Sequence, residues 1–236
     1  NFKVEEFVPA SGAAPRMFKF SMEFLCHYKL GEESINAFLN RQSNQELQVF
    51  LVGIDKFPFF KEVYDLLVEE IENFTKLPKD QRIYHFISYL ISDLKFDFSS
   101  KPKAILPFHK YENHVATPIF EHFKEAVNYA NSSNEVKIHF TVSEEHLENF
   151  KEIVDQILPQ FEEKNQVKIN VEFSFQDVST NTIAVTQEDR PLRCTNGKLI
   201  FRPGGHGALI QNLNQLDSDI VFIKNIDNVL QNHIEE

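Results

Sequence analysis

Tryptophan is absent, cysteine occurs only at Cys26 and Cys194, and glycine numbers just seven in 236 residues. Two cysteines make no disulfide framework, so a reducing, cytoplasmic setting is expected. The sparse glycines leave no G-x-x-x-x-G-K-[ST] phosphate loop and no G-x-G-x-x-G fingerprint. Ser11 lacks the G-x-S-x-G setting of a nucleophile elbow. Positive charge is also scarce. Lys and Arg total 24 against 35 Asp and Glu, a formal net charge of −11. A broad nucleic-acid-binding face needs the opposite balance and is excluded as a function class. No run of 18 apolar residues exists to span a membrane, and no basic-then-apolar leader opens the chain. The chain begins at Asn1 rather than Met, which leaves open a leader or N-terminal segment already removed. His109, His114 and His122 lack the spacing and the cysteines of a zinc site.

What is abundant is phenylalanine, 24 residues, within a hydrophobic share of 42%. That points to an aromatic core of ordinary globular proportion. "KVEEFVP" (3–9) reads as a short strand. Residues 20–95 read as helical. In "FPFFKEVYDLLVEEIENF" Phe60, Val63, Leu67, Ile71 and Phe74 recur at three- and four-residue spacing. Ile83, Ile87, Leu90 and Leu94 do the same in "RIYHFISYLISDL". From about residue 100 short β-branched runs (136–142, 167–175, 182–185, 199–201, 219–223) alternate with helical stretches (117–130, 144–164, 207–216). This predicts an α/β fold with a mostly parallel sheet flanked by helices. The expected division is an α/β domain over 1–19 and 96–236, with a helical insertion or cap over 20–95. Ile220 to Ile223 reads as a buried core strand, yet it runs into Asn225, Asp227 and Asn228. In parallel sheets ligands bind beyond the carboxyl ends of the strands, where both Asp227 and the loop after the first strand are expected.

Five segments carry candidate chemistry. In "ASGAAPRMF" the small residues Ser11, Gly12, Ala13 and Ala14 let backbone N–H groups approach an anion, and Arg16 adds a bidentate cation. Alone, the segment equally reads as a tight turn with a surface arginine. "KPKAILPF" places Lys103 on a proline-bracketed loop. Gln176 ends the strand "VKINVEFSF" with both a donor and an acceptor, suited to a base edge or to an ordinary polar loop. "RPGGHGALIQNL" clusters Gly204, Gly205 and Gly207 before a helix carrying Leu209, Leu213 and Leu216 on its inner face, with His206 a stacking, capping or structural group. Asp227 is either a hard-cation ligand or an Asx-turn residue.

In this order the segments resemble the UDP-sugar pyrophosphorylases, sugar-1-phosphate nucleotidyltransferases of glycosyltransferase-A-type α/β fold. "PGGHGALIQNL" is similar to their P-P-G-H-G-D turn, "IVFIKNIDNV" to their strand ending in N-x-D-N, "PASGAAPRMF" to their G-x-G-T-R loop and "PKAILPF" to their P-K segment. As a whole the chain resembles a bacterial branch of that superfamily described only as a domain of unknown function. The resemblance covers about residues 3–19 and 100–230. It implies a nucleoside triphosphate, UTP first, and a sugar-1-phosphate as substrates, with Mg²⁺ as cofactor. It assigns Ser11 to Ala14 and Arg16 to the triphosphate, Lys103 to phosphate charge near the reacting phosphorus, Gln176 and Gly205, His206 and Gly207 to the base, and Asp227 to Mg²⁺. Departures are the single glycine in the first loop, Ala208 where many relatives carry Asp, and the long interval between Arg16 and Lys103. The family's sugar-binding half and second metal carboxylate lie downstream of the N-x-D-N strand. The expectation is therefore a portion of a longer protein, inactive alone. The alternative is a non-catalytic relative that binds a nucleotide or nucleotide-sugar and regulates.

Overall fold

The aromatic surplus and the β-branched runs sort into different parts of the molecule. The computed structural model describes residues 2–12 and 16–229, so Ala13 and Ala14 lie outside the described residues. The chain divides into two compact units, Asn1–Gly12 with Ile119–Glu236, and Ala13–Pro118. The first unit opens with strand β1 (Val4–Pro9).

The second unit follows, with helices α1 (Lys19–His27), α2 (Ile35–Gln42), α3 (Gln45–Val52), α4 (Phe60–Glu70) and α5 (Lys79–Ile91). A short hairpin of β2 (His109–Lys110) and β3 (Val115–Ala116) closes it. The caps explain the α2–α3 break. Ser34 Oγ accepts the Ala37 N–H (3.2 Å), α2 stops at a left-handed Ser43, and Asn44 Oδ1 accepts the Leu47 N–H (3.0 Å). The core of this unit is a phenylalanine cluster. Phe24 stacks on Tyr28 (4.7 Å between ring centroids) and meets Phe38 edge-on (5.4 Å). Phe18, Phe98 and Leu106 belong to the same cluster, so the helical unit reaches beyond the expected 20–95 on both sides. Val63, Leu67, Ile87 and Leu90 are fully buried, as their spacing requires. Leu94 is not on that face. It follows the end of α5 and is 84% exposed.

The first unit resumes with α6 (Pro118–Tyr129), β4 (Asn131–Ser132), β5 (Glu135–Val142), α7 (Leu147–Asn165), β6 (Lys168–Phe175), β7 (Thr182–Ile183), β8 (Phe201–Arg202), α8 (Ile210–Leu213) and β9 (Ile220–Ile223). The sheet is mixed and mostly parallel. Strands run β6-β5-β1-β9 in parallel, and the short β4 pairs antiparallel with the start of β5. The "TIAV" run and its partner near 201 do not join it. They form a separate antiparallel pair, β7 with β8. Ile138, Phe140 and Val142 point to the face packed by α6 and α7, where Phe140 contacts Phe123, Phe150 and Phe173. Residues of opposite parity, Glu5, Phe7, His139 and Glu172, share the other face. The β9 run is not a buried core strand. It lies at the edge of the sheet with one neighbour among the described residues, and Ile223 is 60% exposed. Among the described residues no helix is long and apolar enough to cross a membrane.

Candidate functional site

Strand β1 carries two adjacent glutamates, and pleating sends them to opposite faces of the sheet. Glu6 enters the helix-packed face and is fully buried. His122 Nδ1 lies 2.6 Å from its Oε1, and the Tyr129 hydroxyl donates to Oε2 at 2.7 Å. The other nitrogen of His122, Nε2, lies 3.3 Å from the carbonyl oxygen of Ile226. Both ring nitrogens thus face protein oxygens, which fixes the ring in place. Burial, reinforced by Glu6, raises the Tyr129 hydroxyl far above its ordinary value, so it remains a donor. Through His122 this buried group fixes the segment that follows β9. Ile226 and Val229 are buried anchors, while Asn225, Asp227 and Asn228 are exposed in a turn closed by the Asn228 N–H to the Asn225 carbonyl (3.0 Å). Lys224 pairs with Glu125 of α6 at 2.6 Å. The polar end of the strand is therefore a braced turn that presents Asp227 outward.

On the opposite face a cavity of about 400 Å³ lies at the carboxyl ends of β1 and β9. Phe7 and Pro9 of β1, Ile223 and Asn225 at the end of β9, and His206 and Gly207 of the glycine turn line it. Leu209, Ile210 and Leu213 complete an apolar wall. The "PGGHG" turn and the strand leading to Asp227, distant in sequence, thus share one hollow. His206 to Leu209 is a single 3₁₀ turn that continues into α8. Leu209 is buried as its inner-face position requires, and Asn212 is buried with it, donating to Ser174 Oγ and the Phe175 carbonyl at 2.8 Å each.

The glycines of the turn have different reasons to be glycine. A Cβ on Gly204 would lie 2.9 Å from the Thr180 carbonyl oxygen and 3.2 Å from Ala208 Cβ. Gly205 and Gly207 are uncrowded by the protein and need no left-handed backbone. Gly204→Ala is therefore expected to destabilise the protein by about 1–3 kcal/mol through overpacking, whereas Gly207→Ala leaves the urea midpoint unchanged. Equal midpoints for the two variants would contradict this assignment. Gln176 belongs to the same packing. Its Nε2 donates to Thr180 Oγ1 (2.9 Å) and lies against Gly204, and it is not among the residues lining the cavity.

The remaining sequence candidates are distributed over both units. Ser11 is half-buried and Gly12 exposed, following Ala10, whose N–H donates to the Thr141 carbonyl at 2.8 Å. Arg16 and Lys103 belong to the helical unit. Arg16 is exposed beside an aromatic cavity of about 630 Å³ that includes Phe18, Phe50 and Phe59, and Lys103 is half-buried in the turn after Pro102. Asp227 belongs to no cluster of three metal-ligating side chains among the described residues. A hard cation there would have this one carboxylate from the protein and would draw its other ligands from phosphate oxygens and water.

Sequence reading missed the groups the fold brings together across strands, Glu6 with His122 and Tyr129, and Glu5 with His139 and Glu172. The available signal was an ionisable residue inside each apolar run, "VEEFVP", "VKIHFTV" and "KINVEFSF". A family model described as "Domain of unknown function (DUF4301)" matches residues 1–236, and the chain belongs to that family. No curated protein and no solved structure matches the chain.

Proposed function

We propose that this member of the DUF4301 family is the nucleotide-binding α/β part of a sugar-1-phosphate nucleotidyltransferase, of glycosyltransferase-A-type fold, taking UTP and a sugar-1-phosphate. One observation carries the reading. The glycine turn and the end of the N-x-D-N strand line a single cavity at the carboxyl ends of parallel strands, the place where open α/β sheets hold ligands. Gly205 and Gly207 support it. The fold crowds neither, and a base or ribose lying against the turn supplies a reason for the missing side chains. The flat apolar wall of Phe7, Leu209 and Ile223 suits the face of a base, with His206 and Asn225 as polar contacts at its edge.

In the proposed reaction a phosphate oxygen of the sugar-1-phosphate attacks the α-phosphorus of UTP. A new P–O bond forms, the α–β bridging P–O bond breaks, and pyrophosphate departs. Two anions must meet, so positioning and charge neutralisation supply most of the rate. Bound Mg²⁺ would neutralise phosphate charge beside Asp227. Asp227 stands exposed in the turn braced by Ile226 and His122. The roles that the resemblance gives to Arg16 and Lys103 are contacts to phosphate oxygens.

Calorimetry with UTP and MgCl₂ tests the proposal on the chain itself. Expected are saturable UTP binding, its loss or marked weakening in Gly207→Ala, and loss of its Mg²⁺ dependence in Asp227→Asn without a change in melting temperature. No binding of any nucleoside triphosphate, or wild-type Mg²⁺ dependence in Asp227→Asn, refutes the reading. Release of UTP from UDP-sugar and pyrophosphate by the full-length protein selects the enzyme, and UTP binding without that release selects the non-catalytic relative.

A further inference from the structure

The face of the sheet below the cavity holds a second polar group that nucleotide binding does not use. β1, β5 and β6 are consecutive neighbours in the sheet. Their register sets His139 opposite Glu172 on one side and opposite Phe7 on the other, with Glu5 two residues before Phe7 on the same face. Glu5 and His139 are buried, His139 to 7% exposure. His139 Nδ1 lies 3.8 Å from Glu5 Oε1 and 3.7 Å from Glu172 Oε2. Both separations exceed hydrogen-bonding reach, and Nδ1 has no hydrogen-bond partner among the described residues. The three atoms lie within 4.8 Å of one another.

The groups around these atoms fix their directions. His139 Nε2 lies 2.7 Å from Ser174 Oγ, which also accepts from Asn212. The Ser218 hydroxyl donates to Glu5 Oε2 at 2.6 Å, leaving Oε1 to face the ring. Phe7 stacks on the imidazole at 5.6 Å between ring centroids. With the proton on Nε2, a lone pair and two carboxylate oxygens converge with no donor among them. With the proton on Nδ1, a buried N–H points at oxygens it does not reach. Either state leaves a buried polar atom unsatisfied, a penalty proteins rarely tolerate. A cation between the three atoms, at about 2.0–2.2 Å from each after small side-chain shifts, removes it.

We propose that Glu5, His139 and Glu172 bind one divalent first-row transition-metal ion through His139 Nδ1 and one oxygen from each carboxylate. One nitrogen and two oxygens favour zinc or manganese over the all-oxygen shell that magnesium and calcium prefer. The Glu172 side chain is 66% exposed. It is the gate by which the ion enters, and it leaves coordination positions to water. Ser218 and Ser174 hold the ligands in direction, as the outer groups of metal centres do. This site is separate from Asp227 and does not depend on the nucleotide reading.

The test uses the untagged chain, stripped with chelator, and Zn²⁺ or Co²⁺ as probes. Expected are one equivalent of zinc retained after desalting, a raised melting temperature, and a cobalt d–d absorption band. Ser218→Ala should weaken zinc roughly tenfold. Glu172→Gln, altering an exposed side chain that leaves the fold intact, should weaken it further and abolish the cobalt band. Asp227→Asn should bind zinc as the wild type does, which separates this site from the proposed Mg²⁺ position. No zinc retained by the wild-type chain, or equal retention by Glu172→Gln, overturns the proposal.

Discussion

His122→Ala should destabilise the first unit by about 1–3 kcal/mol, the usual loss when a buried polar group is left short of one hydrogen-bond partner. Glu6 would stay fully buried, with the Tyr129 hydroxyl its one remaining side-chain donor among the described residues. The Ile226 carbonyl would lose its contact as well. Peptide-resolved hydrogen exchange gives the measurement. Protection should fall across β1, β5 and the turn at 225–228, with the helices of the second unit keeping theirs. The paired replacement Glu6→Leu with His122→Leu should recover much of the loss, because apolar groups of similar size need no partner. A cost for His122→Ala below about 1 kcal/mol would show that another group relieves Glu6.

Phe24→Ala should cost the helical unit about 3–5 kcal/mol, the range for emptying a fully packed aromatic site. Phe24 is completely buried, and its ring touches Tyr28, Phe38 and Tyr84. Three aromatic neighbours cannot all close on the void, so both the transfer and the cavity contributions are lost. The expected signature is faster exchange over α1, α2 and α5, with β5 and β6 unchanged. Phe24→Leu, which keeps most of the volume, should cost less than half as much. Unaltered exchange in Phe24→Ala would mean that the cluster repacks around the gap.

The two variants report on parts of the molecule that were unequally legible. Helices α4, α5, α6 and α7 and strands β1, β5 and β6 announce themselves by three-and-four or twofold apolar spacing, which local chemistry is enough to set. Position within a layer is set by neighbours, so the same patterns mislead at edges. Ile220 to Ile223 has the composition of an interior strand but has one neighbour among the described residues. Leu94 continues a helical spacing past the point where the helix stops. "TIAV" has strand chemistry without a place in the main sheet. The candidate cavity was half legible. Glycines before a helix and a carboxylate after a strand are local features, and both segments were identified. The buried ionic groups were not, since Glu6 and His122 stand 116 residues apart and only tertiary packing joins them. Asn212, in a segment read as leucine-faced, is likewise explained by partners on β6 rather than by its own surroundings in sequence.

The back-to-back glutamates of β1 have a consequence for how the chain finds its pairing. Glu5 and Glu6 each have a polar counterpart waiting on a different side of the ribbon, Ser218 and His139 for one, His122 and Tyr129 for the other. Slipping β5 by a single residue would drive His139 into the phenylalanine layer and turn Phe140 toward Glu5. Aliphatic strands alone would forgive such a misalignment, since one greasy contact replaces another. Here an odd offset strands a buried polar group, so the acidic doublet acts as a key that rejects face-swapped alignments before they can set.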